Sequence, residues 1–144
     1  MSARRFALLL VMPFILLTGC GAKDDPQASL EAAVQRLQDN LEAKDSGAVL
    51  EQLHPQFSAQ QEFDRDWARR TMALLFLRHK NVRVIALSKN SRLDPTYREK
   101  GHSQAQVALT GAAGRIPDSA RHYAVKLEWW REGDEWQLAR LRWE

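Results

Sequence analysis

A few side chains near the middle of the chain have types suited to proton transfer. Asp64 and Asp66 lie two residues apart and just before Trp67. A carboxylate against an indole is desolvated, which raises its pKa and suits it to act as a base. The same pair equally suits the first turn of a helix, where carboxylates meet free backbone N–H groups and the positive end of the dipole. His54 is a candidate base or pocket residue, although its place before Pro55 is also that of a turn residue. Tyr123 offers a hydroxyl either inside a pocket or at its rim. His54, His79, His102 and His122 are scattered without the spacing of a ligand set, so no metal site is expected. With no glycine-rich phosphate loop and no serine-centred nucleophile motif, no cofactor is expected either.

The single cysteine, Cys20, stands in "LLTGCGAK", Leu16 to Lys23, just past an apolar run. Arg4 and Arg5 precede that run, Phe6 to Leu17, and Thr18 and Gly19 follow it. Positive, apolar and small residues in that order form a secretory signal peptide over residues 1–19. About twelve apolar residues are too few to span a bilayer, which takes roughly 20. "Leu17-Thr18-Gly19-Cys20" resembles the lipobox of bacterial lipoproteins. The resemblance implies cleavage before Cys20, a diacylglyceryl group on its sulfur and acylation of the new amino group, so that the membrane becomes a partner through a lipid anchor. Gly21 after the cysteine, where Asp would imply inner-membrane retention, implies the outer membrane more than the inner, with the domain facing the periplasm.

Losing residues 1–19 removes two cations and lowers the formal charge from +3 to about +1. Nucleic acid is therefore not an expected partner, and the "RLRW" and "ARR" stretches read as solvated surface. Residues 20–28 form a short polar lipidated tether. Its last eight residues reach at most about 28 Å when extended. Residues 29–144 have the size of one domain.

The elements that must position the candidates follow from period and punctuation. Asp25-Pro26 opens a helix to about Ala43, with Leu30, Val34, Leu37 and Leu41 on one face. "AVLEQL" makes a short second helix ending before His54, and a third covers roughly Asp64 to His79. The period then changes to two. Strands are expected over 82–88, 105–110, 122–130 and 135–143, with "KNSRLDPTYREKGH" as a long loop. Pairing the last two strands places Trp129 opposite Trp136, and one extra residue near Ala139-Arg140 is needed to keep Leu141 and Trp143 facing inward. The expected class is α+β: three N-terminal helices on a curved antiparallel sheet of about four strands.

"LEAKDSGAVLEQLHPQF", Leu41 to Phe57, and the closing "EWQLARLRW" resemble segments of the nuclear transport factor 2-like superfamily, which includes SnoaL-like and ketosteroid isomerase-like proteins. The resemblance implies a cone-shaped sheet wrapped around the first helix, an inner pocket and often a homodimer through the sheet. Isomerases of this kind carry a tyrosine on the first helix, and this chain has none there. The expectation is therefore a binding or interaction module for a small apolar ligand or a protein partner. A small-pocket enzyme for proton transfer, isomerisation or dehydration is the alternative. Trp67, Tyr123, Trp129 and His54 are the candidate pocket residues. Trp130, on the face opposite Trp129, is the candidate interface residue.

Overall fold

The computed structural model describes residues 25–110 and 122–144. The expected signal peptide, Cys20 and most of the tether lie outside these residues. Helix α1 runs Pro26–Glu42, α2 Ser46–Gln52 and α3 Arg65–Arg78. Each begins on an aspartate: Asp25, Asp45 and Asp64 accept from the N–H of Ala28, Ala48 and Trp67 at 3.1, 3.0 and 2.9 Å. These contacts satisfy donors that no earlier turn can reach.

The strands are β1 Leu53–Ala59, β2 Arg83–Leu93, β3 Lys100–Thr110, β4 His122–Glu132 and β5 Glu135–Trp143, in one sheet of order β1-β5-β4-β3-β2. The α+β layering is as expected, with one strand more. β1 follows α2 directly and pairs parallel to β5, which makes the sheet mixed. It is an edge strand, and Pro55 is tolerated there because an edge has a side that forms no ladder.

The expected loop between the first two antiparallel strands is instead a hairpin whose strands reach Leu93 and start again at Lys100. The turn closes where Asp94 accepts from the N–H of Thr96 and Tyr97 at 2.8 and 2.9 Å. Alternation is hidden here because the helix-facing residues of β2 are polar. Lys89 donates to Gln35 and Gln38 of α1 at 2.8 and 3.2 Å, and the Ser91 carbonyl accepts from Gln27 at 2.8 Å.

β4 and β5 carry the expected bulge. Glu128 pairs with Arg140 but Trp129 with Leu138, so Ala139 is the extra residue, and Leu141 and Trp143 return to the inner face. The register differs by two from that expected: Trp129 faces Leu138, and Trp136 faces Arg131. A two-residue turn at Gly133-Asp134 sets this, with Gly133 at φ +62, a left-handed geometry that favours glycine at such a turn.

One row of residues crosses all five strands beneath α1: Leu93, Gly101, Trp129, Leu138 and Leu53. Leu30 and Ala33 of α1 pack on this row and are fully buried. Leu30 fits only because position 101 has no side chain. A Cβ there would lie 2.6 Å from Leu30 Cδ2. Trp136 fixes the start of α1 by donating its indole N–H to Ser29 Oγ at 2.8 Å.

Candidate functional site

Burial along α1 falls from its N-terminal to its C-terminal half. Leu30 and Ala33 are fully covered, whereas Val34, Leu37 and Leu41 face the same way but are only half-buried. β4 shows the same gradient: Trp129 is sealed, and Leu127, Val125 and Tyr123, further along the same face, are half-buried. The space between helix and sheet is therefore packed solid at the Leu30–Trp129 end. Among the described residues, α1 and β4 are less deeply covered toward the Leu41–Tyr123 end, although Val107, opposite Tyr123, is buried. This open end has aromatic walls. Val125 lies opposite Trp143, and Trp143 stacks on Trp67 with ring centroids 6.0 Å apart. Phe63 stacks on the far side of Trp67 at 4.7 Å. Dispersion and exclusion of water are the forces that a surface of this composition can offer to an apolar molecule.

The expected pocket residues separate accordingly. Trp67 and Tyr123 belong to the open end. Trp129 is core, and its indole N–H has no partner among the described residues. His54 does not enter the pocket. Leu53 takes the inward position, and strand alternation turns the next residue to the other face of the sheet. There His54 Nε2 contacts Glu132 Oε1 at 3.0 Å, and its Nδ1 accepts from the Gln56 N–H at 3.0 Å. Asp64 caps α3, and Asp66 pairs with Arg69 at 2.9 Å; both are exposed.

Trp130 lies on the outer face, as its parity requires, but it is half-buried by its neighbours rather than bare. Arg140 sits 4.8 Å from its ring, Lys100 5.7 Å, and the His54 ring meets it edge-on at 4.8 Å. Its indole N–H donates to Glu128 at 2.7 Å, and Glu128 lies 3.6 Å from the Lys100 ammonium. Cations over an indole face are attracted by the ring quadrupole, so this tryptophan is held in place by its own chain.

A second pair on the outer face was not singled out from the sequence. His102 Nε2 lies 2.7 Å from Asp94 Oδ2. The hydrogen bond from His102, with those from the Tyr97 and Thr96 N–H groups, lowers the Asp94 pKa from 3.8 to about 2. Asp94-Pro95-Thr96 was the available signal, since Asp before Pro commonly folds its carboxylate onto the next backbone amides.

Three helices packed on one five-stranded mixed sheet are the nuclear transport factor 2-like fold, which solved structures share with this chain. Bd1075 of Bdellovibrio bacteriovorus superposes with a TM-score of 0.69 at 11% identity; the match covers 81% of this chain but only 40% of that one. A proposed dehydratase of the nuclear transport factor 2-like family from Streptomyces avermitilis gives 0.67 at 11% identity, over 84% of this chain and 96% of that one. A nuclear transport factor 2-like protein of unknown function from Pseudomonas putida gives 0.68 at 8% identity, over 82% and 84%. Identities this low establish the fold alone. No protein-family model and no curated protein matches the sequence.

Proposed function

We propose that this chain is a bacterial envelope lipoprotein, anchored through Cys20 and facing the periplasm, most simply from the outer membrane. Its domain serves as a binding module for a small apolar ligand held at the open end of the cone. The observation that carries this reading is the half-buried apolar wall of Val34, Leu37, Leu41, Val125, Tyr123 and Trp143 beside a fully packed floor. Half-covered apolar surface inside a fold gains free energy when a ligand removes it from water, at about 25 cal/mol per Å².

The outer face supports a protein partner less well, because Trp130 is already engaged by Arg140, Lys100 and His54. The enzyme alternative would place an acid or base on the inner wall. Asp64 and Asp66, the carriers expected for it, serve instead at the exposed start of α3. The dehydratase description of one structural neighbour therefore gives only a shared scaffold.

The reading is tested by native mass spectrometry of the chain extracted from its own envelope in mild detergent. A co-purifying apolar small molecule, lost when Val125 is replaced by Asp, is the expected result. A chain that carries only its own covalent acyl groups, and binds none of the apolar envelope extract added back, would reject it.

A further inference from the structure

Helix α3 uses little of its surface to hold the fold. Ala68 and Met72 are buried against α2 and β1, and the C-terminal half carries its leucines outward. Leu77 is 86% exposed, Leu74 49% and Leu75 42%. Arg70, Leu74 and Leu77 recur at spacings of four and three, one stripe on the side opposite Met72. Exposed leucines on a free helical face call for a cover.

The charges around them indicate which cover. Arg69 is paired with Asp66, whereas Arg70, Arg78 and Lys80 have no ion-pair partner among the described residues. Apolar side chains interleaved with unpaired cations match a bilayer surface bearing anionic headgroups, which accepts leucines at the acyl boundary and cations at the phosphates. A second copy of the same face would set cations against cations.

We propose that the C-terminal half of α3 docks on an anionic lipid surface, with Leu74 and Leu77 inserted and Arg70 and Arg78 at the phosphates. The rest of the molecule accommodates this. Lys44, just past α1, donates to the carbonyls of His79 and Lys80 at 2.9 and 3.2 Å, so the tip of α3 lies beside the end of α1. The 17 residues of α1 span about 25 Å. Residues 21–25, the stretch between Cys20 and α1, reach about 18 Å when extended, so an anchor in the same bilayer is compatible with the docking when α1 lies tilted rather than upright. The docking goes beyond the ligand reading and does not depend on it.

The test uses the mature chain, residues 20–144, with Cys20→Ser, which removes both the anchor and the native thiol and leaves out the apolar leader. Leu77→Cys, or Gln104→Cys on the outer sheet face as a control, then carries an environment-sensitive fluorophore. Vesicles of phosphatidylcholine with phosphatidylglycerol, or of phosphatidylcholine alone, are added. The Leu77 label is expected to shift to the blue and to be quenched by brominated acyl chains only when phosphatidylglycerol is present, while the Gln104 label stays in water. Replacing Arg70 and Arg78 with Gln should raise the lipid concentration required by roughly 30-fold, at about 1 kcal/mol per cation.

Three results overturn the docking: a silent Leu77 label, equal shifts at both sites, or a shift that ignores phosphatidylglycerol. A Leu77 label that ignores vesicles but is shielded by a bound protein would place a protein on α3, and would overturn it too. A chain that fails here yet still carries a ligand in native mass spectrometry leaves the cone reading intact.

Discussion

Gly101→Ala tests how tightly the floor of the cone is closed. The new methyl would lie 2.6 Å from Leu30 Cδ2, 3.0 Å from Cδ1 and 3.4 Å from Cγ. Carbon atoms prefer roughly 3.5–4.0 Å, so the first overlap is close to 1 Å. Leu30 has no exposed surface and is enclosed by Trp129, Trp136 and Leu138, so it cannot swing clear. Overpacking of this kind costs about 1–3 kcal/mol. Leu30→Ala alone should cost about 2–5 kcal/mol through the cavity it leaves. In the double variant the added methyl occupies part of that cavity. The combined loss should therefore fall short of the sum of the two by at least about 1 kcal/mol. Urea denaturation of the four proteins, with equal m-values as the check on two-state behaviour, measures this coupling. Additivity within about 0.5 kcal/mol would mean that Leu30 does not rest on Gly101, and the closed floor would be refuted.

Asp64→Ala should lower stability by about 1 kcal/mol in thermal or urea melts through loss of the α3 cap, while ligand occupancy in native mass spectra stays unchanged; lost occupancy at full stability would restore a role for Asp64 in the site. The Asp94 carboxyl titrates lower folded than unfolded, so it stabilises the fold fully above pH 3.8, and that contribution fades as the pH falls through about 2. Asp94→Asn should therefore be less stable than the parent near neutral pH and should lack the part of its acid destabilisation that falls between pH 4 and 2. Equal slopes in that window would contradict the assigned His102 contact. Cys20→Ser should abolish metabolic fatty-acid labelling and release the chain from the membrane fraction, and persistent labelling would remove the anchor.

Legibility in the sequence followed how strongly each element is marked by its own residues. Aspartate before proline, and aspartate before a helical period, located the starts of α1 and α3, since a cap is a local interaction. The bulge at Ala139 was legible because Leu141 and Trp143 must face inward with Leu138, which requires one residue too many. The register was not, because it depends on which loop position takes the left-handed conformation, and Gly133 takes it at the first. β1 escaped notice because its partner β5 is some 80 residues away and Pro55 argues locally against a strand. The polar inner half of β2 is legible only once Gln27, Gln35 and Gln38 of α1 are known to meet it. Of the site, parity alone placed Tyr123, Trp129 and Trp130 on their faces. The arrangement around Trp130 depends on Lys100, Arg140 and His54, which come from three other strands.

The claim on which the functional reading turns is that the wide end of the cone receives a ligand while the floor does not. Methyl-resolved NMR of the folded chain, titrated with the apolar fraction of the envelope, reports on both ends at once. Shifts at Val34, Leu37, Leu41 and Val125, with Leu30, Leu53 and Leu138 unmoved, are the predicted result. Methyls that all stay in place, or changes confined to the face around Trp130, would contradict it.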